Sequence, residues 1–132
     1  MKKRSGIELL DERRGEGTEA AKGDRVVFNT RFFLNKGDEV PLNERQAAHV
    51  PVAQLRVVDN VTLIDRTVTL GRRQTIAGVE YALAGMSVGG YRKLRIGPHL
   101  AYRDKGVPGL VPAGAVLVVE LWLRDIQRGS SQ

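Results

Sequence analysis

The sequence predicts an α+β fold, in which several β-strands are combined with one short helix. The clearest strand covers residues 115–126, where side chains alternate in character as they do on the two faces of a strand. One face carries Leu117, Val119, Leu121 and Leu123, and the other carries Glu120, Trp122 and Arg124. Ile76, Val79 and Leu83 follow the spacing of one side of a helix. The leucine-bearing face of the strand is therefore expected to pack on that helix.

The other elements are predicted from β-branched and aromatic content and from turn residues. Four further strands are expected at residues 7–10, 25–34, 61–70 and 91–96. Gly85 ends the helix, because glycine accepts the left-handed conformation that closes many helices. The glycine and proline content of residues 98–112 predicts a loop. The sequence shows no internal repeat.

Composition indicates one ordinary globular domain spanning residues 1–132. Cysteine is absent, which excludes disulfides and thiolate chemistry. We read neither a secretory signal nor an apolar run long enough to cross a bilayer, and therefore expect a cytoplasmic protein without a membrane partner. His49 and His99 have no companion ligand at short spacing, so no metal site is expected.

The formal net charge of +6 favours anionic partners without identifying one. Lysines and arginines are scattered along the chain in twos and threes, and aromatic residues make up only 5% of it. Proteins that bind single-stranded nucleic acid combine a basic groove with aromatic stacking platforms. A solvated basic surface is therefore favoured over nucleic-acid binding.

The second half of the chain carries a specific succession of motifs. A strand ending in Leu70-Gly71 is followed by the short helix, Gly85-Met-Ser-Val-Gly-Gly, a basic strand, Ala101-Tyr102, Val111-Pro112 and the terminal strand. In order, spacing and residue type this succession resembles the FKBP-type peptidyl-prolyl cis-trans isomerases. The resemblance implies a single FKBP-like domain, with an antiparallel sheet of five or six strands wrapped around the one short helix. It also implies an apolar pocket that receives a proline.

Residues 42–60 are the least readable part of the chain. The resemblance implies a shorter link here, so part of this segment is expected to be an insertion of roughly a dozen residues beside the pocket mouth. Pro51 should stop any helix near Ala48 or His49. Two alternatives remain open for this insertion: it has a function, or it is a connecting segment without one. Residues 128–132 are expected to form a loose tail.

Two candidate catalytic residues carry over intact from the family resemblance. Ile76 matches the position whose backbone N–H bonds a ligand carbonyl at the start of the pocket helix. Tyr102 matches the tyrosine whose ring lines the pocket and whose hydroxyl bonds the ligand. Without the surrounding motif, both residues would be read as ordinary core or structural positions.

Other pocket positions depart from the family pattern. Val79 stands in place of a tryptophan, Val119 in place of a phenylalanine, Thr75 in place of an apolar residue, Arg66 in place of a phenylalanine, Val40-Pro41 in place of Phe-Asp, and Asn29 in place of a tyrosine. These replacements predict a wider and less aromatic pocket. One extra residue before Asn29 and a bulge near Arg66 would each shift these two assignments.

The resemblance implies a reaction without covalent chemistry or a cofactor, because rotating a proline amide needs only binding and desolvation. The leading hypothesis is a peptidyl-prolyl isomerase of weak or altered activity on proline-containing protein segments. The alternative is a non-catalytic FKBP-fold module that binds peptides or proteins. Basic residues expected around the pocket rim favour acidic segments; these are Arg66, Arg72, Arg73, Arg103 and Lys105.

Overall fold

The computed structural model describes residues 4–128. Within this range the chain forms eight strands and two α-helices, in the order β1 (Ile7–Arg13), β2 (Arg25–Leu34), β3 (Glu39–Val40), α1 (Leu42–Ala47), β4 (Leu55–Val58), β5 (Val61–Ile64), β6 (Arg66–Thr69), α2 (Ala77–Leu83), β7 (Tyr91–Ile96) and β8 (Leu117–Gln127). Short 3-10 turns occupy Val52–Gln54 and Pro98–Leu100. None of the helices in the described part is long and apolar enough to cross a membrane.

Six strands form one antiparallel sheet in the order β1-β7-β8-β2, followed by β3 and β6 on the far edge of β2. β8 lies between β7 and β2, although it is the last strand in the chain. β6 pairs with the first half of β2, up to Phe28, whereas β3 pairs with its end at Phe32 and Phe33. The middle of β2 is therefore left without a strand partner on that edge.

The core lies between the sheet and α2, as the alternating pattern of the terminal strand predicts. Leu117, Val119, Leu121 and Leu123 are fully buried, together with Val79, Ala82 and Leu83 of the helix. Gly78 permits close contact, because a Cβ atom there would lie 2.7 Å from two carbon atoms of Ile96. The helix and the sheet thus approach each other closely at this point.

Arg92 joins three elements from a nearly buried position on β7. Its Nη1 donates to the carbonyl oxygens of Ala82 and Ala84 at the end of α2, at 2.7 and 3.1 Å. Its Nε donates to Glu12 of β1 at 2.7 Å, and this hydrogen bond lowers the pKa of Glu12. A cation at a helix C-terminus also meets favourable backbone carbonyl charge. Gly85 follows with φ of +88°, as its predicted role in ending the helix requires.

The segment expected to be an insertion folds into a helix and a hairpin. α1 ends at Ala47, close to the stop predicted from Pro51, and β4 pairs with β5 through a turn at Asp59 and Asn60. Both turn residues have positive φ, which Asn and Asp tolerate better than most residues. The prediction of a single strand at residues 61–70 was wrong. The strand is interrupted at Asp65, and β5 and β6 belong to different sheets.

The predicted tail is described only at its first residue. Arg128 donates hydrogen bonds to the Asp24 carboxylate and the Glu19 carbonyl, which hold it against the turn before β2. The rest of the predicted tail, residues 129–132, lies outside the described residues.

Candidate substrate-binding site

Tyr102 lies in the loop between β7 and β8, directly after the 3-10 turn, with its ring half-buried. The ring meets Phe32 of β2 edge-on, with centroids 6.3 Å apart. Phe32 in turn pairs with Val119 of β8 and Val40 of β3. The sheet therefore brings three of the sequence-predicted positions, Tyr102, Val119 and Val40, around one phenylalanine.

Phe32 itself was missed by the sequence reasoning. The signal was present, because Val26, Phe28 and Phe32 recur at even spacing along β2 and share its inner face. This aromatic ring stands beside the positions where the family resemblance implied that aromatic side chains had been lost.

The floor of the site is apolar and closed. Val79 of α2, Val119 and Val40 belong to the buried core, with exposures of 0%, 0% and 3%. Neighbouring side chains therefore cover all three valines. Ile76 and Tyr102 pack against this core from its solvent side and remain partly exposed.

Ile76 immediately precedes α2 and presents its backbone N–H at the helix start. Its carbonyl accepts hydrogen bonds from the N–H groups of Val79 and Glu80, both at 3.1 Å. Its own N–H pairs with no acceptor within residues 4–128. The loop before it, which includes the half-buried Thr75, is held where the Gly71 N–H donates to the Glu80 carboxylate. A ligand carbonyl could therefore accept a hydrogen bond from the Ile76 N–H.

Arg66 lies on the inner face of β6, opposite Phe28 of β2. Its Nη2 donates to Oδ1 of Asn43 at 3.1 Å, and its Nε is buried without a hydrogen-bond partner among the described residues. Burial lowers the pKa of Arg66 and raises that of Tyr102, and the positive charge of Arg66 acts on the tyrosine in the opposite direction. Arg66 and Tyr102 therefore share one partly desolvated environment.

Asn43 was also missed by the sequence reasoning, since it lies in the unreadable segment. It is buried in α1 beside the uncovered middle of β2, and its Nδ2 donates to the Thr30 carbonyl at 2.8 Å. Pro41 begins the same helix from its N-cap position, next to Val40. An uncharged amide that contacts Arg66 is thus found near the position where the family pattern has an acid.

Asn29 is not brought into this group. It faces Trp122 across β2 and β8, on the side of the sheet away from α2, whereas Phe28 beside it points inward. Its Nδ2 donates to the Ile64 carbonyl and to Asp65, each at 2.8 Å, and its Oδ1 accepts from Arg124 at 2.6 Å. Asn29 therefore anchors the hairpin formed by β4 and β5.

Four of the five predicted rim residues lie in the two loops that carry the site, whereas the fifth, Arg66, lies on β6. Arg72 and Arg73 precede Ile76, and Arg103 and Lys105 follow Tyr102; all four side chains are exposed. Arg73 and Arg103 have positive φ, which directs each loop through a tight turn. Solvent-exposed positive charges therefore precede Ile76 and follow Tyr102 in the sequence.

Other features of the described residues do not suggest a different site. No group of three or more His, Asp or Glu side chains within residues 4–128 is arranged to hold a metal ion. A surface cleft of about 690 Å³ is lined by Arg13, Tyr81 and Arg92, and one of about 480 Å³ by Arg31, Glu44 and Thr62. Neither of these two clefts includes Tyr102 or Ile76.

A curved set of strands thus packs on α2, with Ile76 and Tyr102 partly exposed at the edge of the core. The family model for FKBP-type peptidyl-prolyl cis-trans isomerase matches residues 16–124. The chain therefore belongs to this family.

Named relatives agree with this assignment. The chain is 33% identical over 122 residues to FK506-binding protein 4 of Chaetomium thermophilum, covering 92% of this chain and 22% of that protein. It is 28% identical over 128 residues to FK506-binding protein 1A of Neurospora crassa, covering 94% and 93%. A shorter match joins it to peptidyl-prolyl cis-trans isomerase FPR2 of Saccharomyces cerevisiae, at 45% identity over 58 residues, or 44% and 43% of the two chains. The chain thus spans about a fifth of the first relative and nearly all of the second.

Proposed function

We propose that this chain catalyses cis–trans isomerisation of X-Pro bonds in proline-containing protein segments, at the site formed by Ile76 and Tyr102. One observation carries the proposal. On the scaffold of this family, the Ile76 N–H has no hydrogen-bond acceptor within residues 4–128, and both Ile76 and the partly exposed Tyr102 pack on the apolar core. The name of the relative from Saccharomyces, a peptidyl-prolyl cis-trans isomerase, supports the same activity.

The chemistry of the reaction fits these groups. Rotation about the peptide bond must cross a barrier of about 18–20 kcal/mol, which arises from amide resonance. An apolar surface removes water from the amide, and donors that fit the twisted form better than the planar forms lower this barrier. In the proposed site the Ile76 N–H holds a substrate carbonyl, Tyr102 supports the chain beside it, and the core side chains support the proline ring.

The proposed activity is weak. Val79 and Val119 offer less surface than the aromatic residues of the family pattern, and both are covered by neighbours. Arg66 brings charge to a wall where the family has an aromatic ring. A smaller apolar contact with the proline ring means less binding energy for the twisted amide.

The test is an isomerisation assay on short X-Pro peptides, followed by NMR exchange between the cis and trans forms. Ile76→Pro removes the backbone N–H, and the φ of −60° at this position suits proline. Ile76→Ala keeps the N–H while truncating the side chain, and so serves as the matched control. We expect the proline variant to lose more activity than the alanine variant, with both folded by circular dichroism.

Three results would contradict the proposal. Equal activity in the two variants would remove the N–H from the mechanism. Peptide binding without acceleration by the unaltered protein would replace isomerisation with the binding-module alternative. Activity as high as that of a strongly active isomerase of the same family would show that the valines do not limit the site.

The predicted cytoplasmic location belongs to the same proposal, and cell fractionation tests it.

A further inference from the structure

Arg66 is a cation on the inner side of the sheet with no acidic partner. It belongs to none of the ion pairs formed within residues 4–128. Its one hydrogen bond goes to the neutral amide of Asn43, and its Nε is buried and unpaired. Removing a charge from water is unfavourable unless an opposite charge or sufficient hydrogen bonds replace the water. Arg66 therefore has unused capacity to bind an anion.

The neighbouring acid in the sequence does not supply this anion. Asp65 points to the other side of the sheet, where Arg56 contacts both of its carboxylate oxygens, at 2.9 and 3.1 Å. Its Oδ1 also accepts a hydrogen bond from Asn29 at 2.8 Å. These contacts fix the carboxylate away from Arg66. The fold thus neutralises Arg56 on the outer face and leaves Arg66 without an acidic partner among residues 4–128.

One end of the Arg66 guanidinium remains open to a ligand. Nη1 makes no hydrogen bond within the described part of the chain, and it is not among the buried unpaired atoms, so solvent reaches it. Nη2 uses only one of its two hydrogens for Asn43. A guanidinium presents such N–H groups in a planar fork that matches the two oxygens of a carboxylate.

The position of this open end relates it to the proposed substrate. Asn43 accepts a hydrogen bond from Arg66 and donates one to the Thr30 carbonyl in the middle of β2. Thr30 lies two residues before Phe32, on which the ring of Tyr102 packs. Phe28, opposite Arg66, and Phe32 belong to the same buried cluster. A peptide resting on Tyr102 would therefore pass the guanidinium.

We propose that Arg66 is a specificity-determining residue, which binds a carboxylate on a residue next to the substrate proline and so makes acidic proline-containing segments the preferred class. The inference rests on the proposed function for the location of the proline. It differs from steering by the exposed rim arginines, since a partly buried pair is screened less by salt than exposed charges are.

The test compares peptides that differ only in charge at the residues flanking the proline. Blocked peptides with Glu or with the near-isosteric Gln are titrated into the full chain, first before and then after the proline. Binding is followed by NMR, including the Nε–H signal of Arg66, and isomerisation by exchange on the same samples. We expect about ten- to hundredfold tighter binding of one Glu peptide than of its Gln counterpart, as for a hydrogen bond to a charged group.

Three variants separate Arg66 from its surroundings. Arg66→Met should abolish the Glu preference, so that the variant binds the Glu and Gln peptides equally. Arg56→Gln, which removes a comparable arginine from the outer face, should keep the preference. The double variant Arg72→Gln/Arg73→Gln should weaken the salt dependence of association and retain the Glu preference at equilibrium.

The outcomes distinguish this inference from the proposed function. Equal binding of Glu and Gln peptides by the unaltered protein overturns the role of Arg66, even if both are isomerised. That role is also overturned if the preference disappears in the rim variant and not in Arg66→Met. A Glu preference lost in Arg66→Met, without any isomerisation, supports the inference and overturns the proposed function. The Glu–Gln comparison requires no variant, so it stands even if Arg66→Met fails to fold.

Discussion

Tyr102 packs edge-on against Phe32, with ring centroids 6.3 Å apart and ring planes inclined at 62°. This geometry is favourable for two aromatic rings and links the loop between β7 and β8 to the centre of the sheet. The hydroxyl of Tyr102 makes no hydrogen bond within residues 4–128, and it is not a buried unpaired atom. The ring is therefore positioned by packing, which leaves the hydroxyl for a ligand.

Removing that hydroxyl should reduce activity without reducing stability. We expect Tyr102→Phe to lower kcat/KM for peptide isomerisation by about two- to tenfold, the equivalent of one net hydrogen bond. The melting temperature should be unchanged, since no partner within the described chain is lost. Tyr91→Phe is the matched control, because the Tyr91 hydroxyl donates to Glu120 at 2.5 Å on the other face. That variant should lose stability and retain activity; the opposite pattern would remove Tyr102 from the site.

The single tryptophan should not report on peptide binding. Trp122 lies on the outer face and contacts the ring of Tyr91, with centroids 5.3 Å apart. The sheet separates it from Tyr102 and Phe32. We expect saturating peptide to leave its emission maximum nearly unchanged, whereas Tyr91→Leu should shift it. A large change on peptide binding would indicate either a second binding surface on the outer face or a rearrangement of β8.

Asn29 should behave as a structural anchor. Replacing it with alanine removes its hydrogen bonds to Ile64, Asp65 and Arg124, and leaves those partners without replacement. We expect Asn29→Ala to lower the free energy of unfolding by about 2–3 kcal/mol in urea titrations. Asn35→Ala, which removes only an exposed contact with Arg95, should cost much less. Activity lost from Asn29→Ala while stability is unchanged would return Asn29 to the substrate site.

Asp65 should contribute to stability in a pH-dependent way. Its pKa is lowered, first by the hydrogen bond from Arg56 and also by that from Asn29, below the ordinary value of 3.8. The ionised form therefore stabilises the fold above about pH 3.8, and this contribution is lost as the pH falls through the lower folded-state pKa. Melting curves should show Asp65→Asn less stable than the unaltered protein near neutrality, with the difference shrinking below pH 3.8. Asp38→Asn, which disrupts an exposed pair with Lys36, is the control with little expected effect.

Gly78 should resist substitution despite its place in a helix. Alanine is normally favoured over glycine in a helix by about 1 kcal/mol. Here the added Cβ would lie 2.7 Å from Cδ1 and Cγ2 of Ile96, which is too close without a shift of the helix. We expect Gly78→Ala to destabilise the protein by about 1–2 kcal/mol. In an Ile96→Ala background the same change should be neutral or stabilising, and additive effects in this double-mutant cycle would contradict the proposed clash.

The sequence predicted best those elements in which only one face is buried. The strand at residues 25–34 matches β2, and the leucines of the terminal strand all face α2, because burial of one face imposes a clear alternation. The alternation fails at Phe28, Asn29 and Thr30, which are all buried. Asn29 was matched to a pocket tyrosine through the family resemblance, and its side chain lies on the outer face of the sheet. The outer side of Asn29 is covered by Ile64 and Asp65, from a hairpin that is distant in the sequence.

The sequence could name candidate positions for the site but not the contacts of their side chains. Arg66, which pairs with Phe28 of β2, lies on the inner face of the sheet. The absence of an acid around it depends on Asp65 turning outward toward Arg56. Such pairing is decided by tertiary contacts, which neither periodicity nor composition contains. Phe32 and Asn43 were missed because their roles arise from contacts with Tyr102 and Arg66.

The central place of β8 affects how the chain folds. β2 pairs along its whole length with β8, which lies about 90 residues later in the chain. The Thr30 hydroxyl, for example, donates to the carbonyl of Glu120, 90 positions later. Bringing such distant segments together costs loop entropy before any pairing is gained, and this slows folding. On a ribosome, β2 would wait with one edge unpaired until residues 117–127 had been synthesised. Until β8 forms, the free edge of β2 would therefore be a site at which other chains could pair.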